Sequence, residues 1–347
     1  MNDNLPKALH PVPTVSISHR LGGVVLSAFL RGGVLPFLLV IAFVVFGTLS
    51  PEFLTASNLT NLLRQSVYLI LVSIGQMLAL VTGGFDLAVG TTVAITSVVS
   101  ATVMATMAGG ADPAWGAIAV GCLAGLGAGM VVGLVNACGI ALAGVSPFIM
   151  TLGVQSIGLG VALTLTGGVP VSGLPPAFGD LLGFGTVLGV PWPVIVTFVG
   201  VVFLYVLMTR TALGSYFLAV GGNAKAAALS GVNTTRVLIA AYVLCALFAS
   251  VSGLLLTARV GSGEANLGGT IALESIAACV IAGVSLRGGV GRVESVVLGA
   301  IFIGVLQNGM NLTGVRSYLQ MVVLGVLLIV AVIADRIRIR LSQGGSK

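Results

Sequence analysis

The sequence predicts an all-α integral membrane protein of about ten transmembrane helices. Three observations carry that prediction. First, the 347-residue chain is 57% hydrophobic and only 7% charged. A soluble domain is about 25% charged, so there is too little charge here to clothe a water-facing surface. Second, ten apolar runs approach the roughly 20 residues needed to cross a hydrocarbon core of about 30 Å. They are residues 33–50, 65–82, 88–107, 114–139, 147–166, 191–208, 236–257, 271–286, 294–312 and 317–334. Third, alternating those runs from an inside N-terminus sorts the basic residues. Lys7, Arg20, Arg31, Arg210, Lys225, Arg236, Arg287, Arg292, Arg336, Arg338, Arg340 and Lys347 fall inside, and only Arg64, Arg259 and Arg316 fall outside. That bias is the positive-inside pattern, with both termini cytoplasmic. Gaining or losing one span destroys it, so it supports the count of ten independently of hydropathy.

The organisation read from these runs is a cytoplasmic tail at 1–32, a membrane domain at 33–335 and a second cytoplasmic tail at 336–347. Ten spans divide into two sets of five. An odd number per set would make the halves inverted relative to each other, an arrangement common in transporters. The N-terminal tail has neither the short apolar core nor the small-residue cleavage site of a signal peptide, and its His10 and His19 have nothing nearby to complete a metal site. The net charge of +6 collects in loops, not along a stripe, so no nucleic-acid partner is expected. Cys122, Cys138, Cys245 and Cys279 all lie inside apolar runs without metal or redox spacing and read as small buried hydrophobes.

Along the chain, residues 50–66 form an external amphipathic segment that lies at the interface or starts the second span. The turn TGGFDLAVGTT (82–92) contains Asp86, one of only nine acids. It reads as the cap of the following helix, with an ion or proton site as the alternative. The fourth span carries Gly121, Gly125, Gly129 and Gly133 on nearly one face, a helix-packing stripe that lets a neighbouring backbone approach closely. The fifth opens with Pro147, which is tolerated at a helix start. It holds Thr151, Gln155 and Ser156, which are either pathway residues or interhelical hydrogen-bonding groups. Gly- and Pro-rich residues 167–190 form the longest external segment. The ninth span ends with Gln307, Asn308 and Asn311. Amides donate and accept, which suits sugar hydroxyls, but they equally suit bonds between helices.

The longest polar interruption flanked by spans is Thr209–Val237, TRTALGSYFLAVGGNAKAAALSGVNTTRV. Asn223 can cap a short helix inside it, and Gly231, followed by Asn233, can end that helix. Ala224, Ala227, Ala228 and Gly231 share one face by i, i+3, i+4, i+7 spacing. A smooth, exposed helical face of this kind suits docking into another protein's groove.

Enzyme chemistry is absent from the sequence. No phosphate loop GxxxxGK[ST] occurs; the chain has three lysines, none after a glycine. HExxH and GxSxG are missing as well. The acids are too few and scattered for a proton relay. The chain is therefore expected to be no enzyme, to need no cofactor or metal, and to draw its energy from outside itself.

GGFDLAVG, PFIMTLGVQSIGLGVAL, TGGVPVSGLP, GGNAKAAALSGV, IAGVSLRGGVGR and LQNGMNLTGV occur in that order. Together they resemble the permease subunits of bacterial ABC importers of the ribose/xylose/galactose type, over about residues 33 to 335. The resemblance implies a subunit of the inner membrane that works with a second permease copy or a paralogue. A cytoplasmic ATP-binding subunit drives it, and a periplasmic substrate-binding protein feeds it a monosaccharide. It also implies that Gly222, Asn223, Ala226, Ala227 and Gly231 dock on the ATPase. Lys225 sits where an acid is common and Arg287 where a small residue is usual, which adds positive charge at the ATPase face. Permeases for other small polar solutes (a nucleoside, an autoinducer, a branched-chain amino acid) are alternatives, as is a self-contained secondary transporter.

Overall fold

The computed structural model describes residues 35–109 and 114–344, with side chains through residue 333. The predicted tail at 1–32 lies outside the described residues. Among the described residues, eleven helices are longer than one or two turns. They are α1 Leu35–Leu49, α2 Ala56–Val81, α3 Val89–Ala108, α4 Trp115–Ala141, α5 Pro147–Thr166, α6 Trp192–Arg210, α7 Ala212–Leu229, α8 Thr234–Val260, α9 Ile271–Ile281, α10 Val293–Leu312 and α11 Ser317–Gly344. Seven of them (α2 to α6, α8 and α10) are long and apolar enough to cross a membrane. Three shorter apolar helices, Leu35–Leu49, Ile271–Ile281 and Ser317–Ile333, fall at the remaining predicted spans. α7 is the odd one out, lying in the polar interruption.

The amphipathic segment starts the second span, one of the two readings of its sequence: the Thr55 hydroxyl accepts from Asn58 N–H at 3.3 Å and caps α2 there. The end of the eighth span differs from the sequence reading for a local reason. α9 stops at Ile281, five residues early, because Gly283 adopts φ +84° and Val284 N–H returns to the Cys279 carbonyl at 2.9 Å, a glycine-terminated helix end. α11 runs through residue 335 without a break.

α2 lies at the centre, and nearly all of its apolar stretch is buried. It packs on α8, α9 and α10, and on α6 and α7 at its edges. The contacts repeat with a pattern. α2 meets α9 and α10 as α8 meets α3 and α4. α3 meets α4 and α5 as α9 meets α10 and α11. Exchanging each of the first five spans with its counterpart five spans later therefore maps these contacts onto themselves, as two inverted five-span halves require.

The glycine stripe of α4 is packed within the chain. Gly121, Gly125, Gly129 and Gly133 are all buried and lie in the groove between α3 and α8. A methyl group added at Gly125 would stand 2.9 Å from Ser100 Cβ and 3.0 Å from the Thr96 carbonyl, and one at Gly133 would stand 3.1 Å from the Tyr242 carbonyl. At the opposite end of the bundle from Lys225, the long segment between α5 and α6 is pinned to the loop after α8. Val171 and Gly263 exchange two backbone hydrogen bonds of 2.8 Å. Further on, a two-residue hairpin pairs β1 Thr186–Val187 with β2 Val190–Pro191. Its turn uses Leu188 at φ +52° and Gly189 at φ +81°, the left-handed pair that a tight hairpin needs.

Candidate coupling site and polar clusters

α7 is two helical pieces that meet at a kink. Asn223 is extended (φ −159°, ψ 98°) and breaks the helix. Its side-chain oxygen accepts from Ala226 N–H at 3.0 Å and so caps the short second piece. That piece ends where Gly231 turns left-handed (φ +86°) and the Gly231 and Val232 N–H groups return to the Ala228 and Ala227 carbonyls, both at 3.0 Å. Asn233 then caps α8 rather than closing α7: its side chain accepts from Arg236 N–H at 3.0 Å.

The face built by this helix is not the one the spacing predicts. Ala227 is buried, within the core that contains Phe217, Val220 and Val237. Its side chain therefore anchors the short helix to the bundle. Gly222, Asn223, Ala224, Lys225, Ala226, Ala228 and Gly231 are exposed. Leu229 is 92% exposed, a large aliphatic side chain at the end of a polar loop helix, which the sequence reading passed over. Its signal in the sequence is a lone bulky apolar residue three positions after Ala226 in an otherwise small-sided segment.

The polar residues within the spans divide between roles. In α5, the Thr151 hydroxyl is buried and donates to its own helix at the Pro147 carbonyl (2.9 Å). Ser156 is exposed and does likewise to the Leu152 carbonyl (3.2 Å). Gln155 is half-buried, and its backbone carbonyl accepts from the Thr91 hydroxyl at 2.8 Å, tying α5 to α3. In α10, Asn308 is buried and exchanges two hydrogen bonds with Asn58 of α2, at 2.9 and 3.0 Å. Asn58 also donates to the Phe53 carbonyl at 2.8 Å. Asn311 is exposed and accepts from Gln320 at 2.7 Å, while Gln307 is half-buried. Asn308 is thus spent on helix packing, and the side chains that face outward are Ser156 and Asn311. A double-mutant cycle with Asn58→Ala and Asn308→Ala is expected to give a coupling of about 0.6 to 1.7 kcal/mol, the range for hydrogen bonds between membrane helices, read by thermal unfolding of the detergent-solubilised protein.

Asp86 is buried in the turn between α2 and α3. Its carboxyl accepts from Ala88 N–H (2.9 Å) and from the Asn136 side chain (3.3 Å). The cap position of α3 is Ala88, which has no side-chain cap bond, so Asp86 holds the turn before the helix and is not the cap that the sequence suggests. With its amide oriented to satisfy both partners, Gln76 donates to the Asp86 carbonyl at 3.0 Å and accepts from the Asp86 N–H at 3.2 Å. The Tyr242 hydroxyl donates to the neighbouring Phe85 carbonyl at 3.2 Å. One turn therefore ties together α2, α4 and α8.

Residues 58–332 match the family of branched-chain amino acid transport system / permease components. The ribose import permease protein RbsC of Bacillus subtilis is 39% identical over 303 residues, covering 87% of this chain and 92% of that protein. The D-allose transport system permease protein AlsC of Escherichia coli K12 is 36% identical over 302 residues, 87% of this chain and 90% of the relative. The galactose/methyl galactoside import permease protein MglC of Salmonella typhimurium is 37% identical over 319 residues, 89% and 94%. No solved structure matches this chain. These ten apolar helices are those of a multi-pass transport permease. The chain belongs to the branched-chain amino acid transport system / permease component family.

Proposed function

We propose that this chain is the permease subunit of an ATP-driven, binding-protein-dependent importer of a monosaccharide in a bacterial inner membrane, with both termini and Lys225 in the cytoplasm. The names of its relatives, which carry ribose, allose and galactose, support the substrate class. The chain is not itself an enzyme in this reading; a separate cytoplasmic ATP-binding subunit hydrolyses ATP, and a periplasmic binding protein delivers the sugar. A second permease copy or paralogue covers the broad apolar side of α5, where Phe148, Ile149, Leu152 and Ile157 are exposed. The seam between the two copies then forms the pathway, with Ser156 and Gln155 along its wall.

The observation that carries the reading is the short capped helix after Asn223, which presents Ala226, Ala228 and a 92% exposed Leu229 at the Lys225 end of the bundle. Small residues around one large aliphatic knob suit insertion into a groove on a partner. Leu229→Asp and Ala226→Trp, each expressed with the ATP-binding subunit, are expected to lower co-purification and sugar uptake at least tenfold. The permease itself should stay folded, since neither side chain is buried. Unchanged assembly in both variants would sink the docking assignment.

A further inference from the structure

Where α7 breaks, three backbones meet without side chains between them. Gly221 lies against the last residue of α2. A methyl on it would collide with the Val81 carbonyl and stand 2.7 Å from the Gly289 nitrogen. Gly288 and Gly289, in the turn between α9 and α10, sit at φ +87° and +77°. A methyl on Gly288 would stand 2.7 Å from the Gly221 carbonyl oxygen, and one on Gly289 would stand 2.9 Å from Gly222 Cα. The contact is hydrogen-bonded as well as close: Gly289 N–H donates to the Val81 carbonyl at 2.9 Å. The turn is braced from within by Ser285 N–H to the Val290 carbonyl (3.0 Å) and Gly288 N–H to the Ser285 carbonyl (3.1 Å). Gly291 rests on Val81 and Met77 of α2.

The covalent links of the same short helix differ from this. Towards α8 the chain passes through Gly231, around whose Cβ position nothing lies within 4 Å. Towards α6 it passes through an extended residue, Thr211. Loops can absorb a displacement by changing φ and ψ. Backbones in van der Waals contact have no rotamers to adjust and transmit it instead.

We infer that Gly221, Gly288 and Gly289 form a rigid joint that positions the coupling helix on α2 and on the α9–α10 turn, so that a push on the helix moves α2, α9 and α10 rather than mainly tilting the sequence-adjacent α6 and α8. The inference rests on the coupling reading above and names its transmission residues. These glycines touch neither nucleotide nor sugar; they act through the helix.

The test uses the complete importer (permease, ATP-binding subunit and binding protein) in proteoliposomes. Gly221→Ala is expected to keep ATPase co-purification and basal ATP hydrolysis within twofold, while uptake and its stimulation by sugar-loaded binding protein fall at least tenfold. Wild-type uptake in Gly221→Ala would overturn the joint. Hydrogen exchange on the unaltered importer decides independently of any folding defect. The amides of 285–292 should stay equally protected with and without ATP, and tenfold deprotection in either state would refute a rigid contact. Failure of the docking assignment looks different, since it would appear as normal assembly in Leu229→Asp whatever the joint does.

Discussion

Leucine in place of Gly129 is expected to abolish the folded permease. Gly129 faces Thr96 of α3 and Ser250 of α8 at once. A Cβ there would stand 2.7 Å from the Thr96 hydroxyl and 3.0 Å from Ser250 Cβ, and would overlap the Ser250 hydroxyl. Ser250 Oγ is already engaged with the Ala246 carbonyl at 2.7 Å, so it cannot swing aside without losing that bond. Four more heavy atoms can enter only if α4 separates from both neighbours, which would unseat the whole glycine stripe. We expect a cost above about 4 kcal/mol, beyond the usual cost of overpacking and in the exceptional range for a single substitution, because two neighbouring helices must move. The measurement is recovery of monodisperse protein after detergent extraction. Gly127→Leu is the comparison. It lies two residues away on the same helix with nothing within 4 Å of its Cβ position, and should recover like wild type. Equal recovery of the two would show that α4 is not held through this face.

The second large effect is expected at Asp86. Alanine there removes the acceptor for Ala88 N–H and for the Asn136 side chain, both buried. Each unpaired buried donor costs about 1–3 kcal/mol, so Asp86→Ala, which leaves two, should lose roughly 2–6 kcal/mol of stability and most uptake. Asp86→Asn separates two roles for this acid. Its side-chain oxygen can accept the same two bonds. We expect Asp86→Asn to retain stability to within about 1 kcal/mol and to keep most transport. Loss of uptake in Asp86→Asn with an unchanged melting temperature would instead assign the carboxyl to ion or proton handling.

Much of this fold is legible in the sequence because lipid imposes a local rule: a span must be apolar over its own length. The run at 147–166 therefore coincides with α5, and Asn223 and Gly231 act as cap and terminator where their chemistry places them. What fails to show is whatever depends on distant segments. The i, i+3, i+4, i+7 rule gives Ala224, Ala227, Ala228 and Gly231 one face, but cannot say that Phe217 and Val237 will draw Ala227 into the core. Three amides in five residues suggest a polar cluster, but only the fold shows that Asn308 meets Asn58, 250 positions away. The α4 glycines announce a close approach without naming α3 and α8 as its other side. That Gly221 touches Gly288 and Gly289 is a property of the packed bundle alone.

The central position of α2 also bears on how the protein is made. This helix leaves the ribosome second among the spans, yet its hydrogen-bonding neighbours come far later. Tyr68 waits for Ser252, Ser73 for Cys279 and Asn58 for Asn308. Until the last third of the chain is synthesised, Ser66 and Ser73, both buried in the finished fold, lack Gly304 and Cys279, against which they pack. A chain cut short before α8 therefore leaves this span without the partners of Tyr68, Ser73 and Asn58.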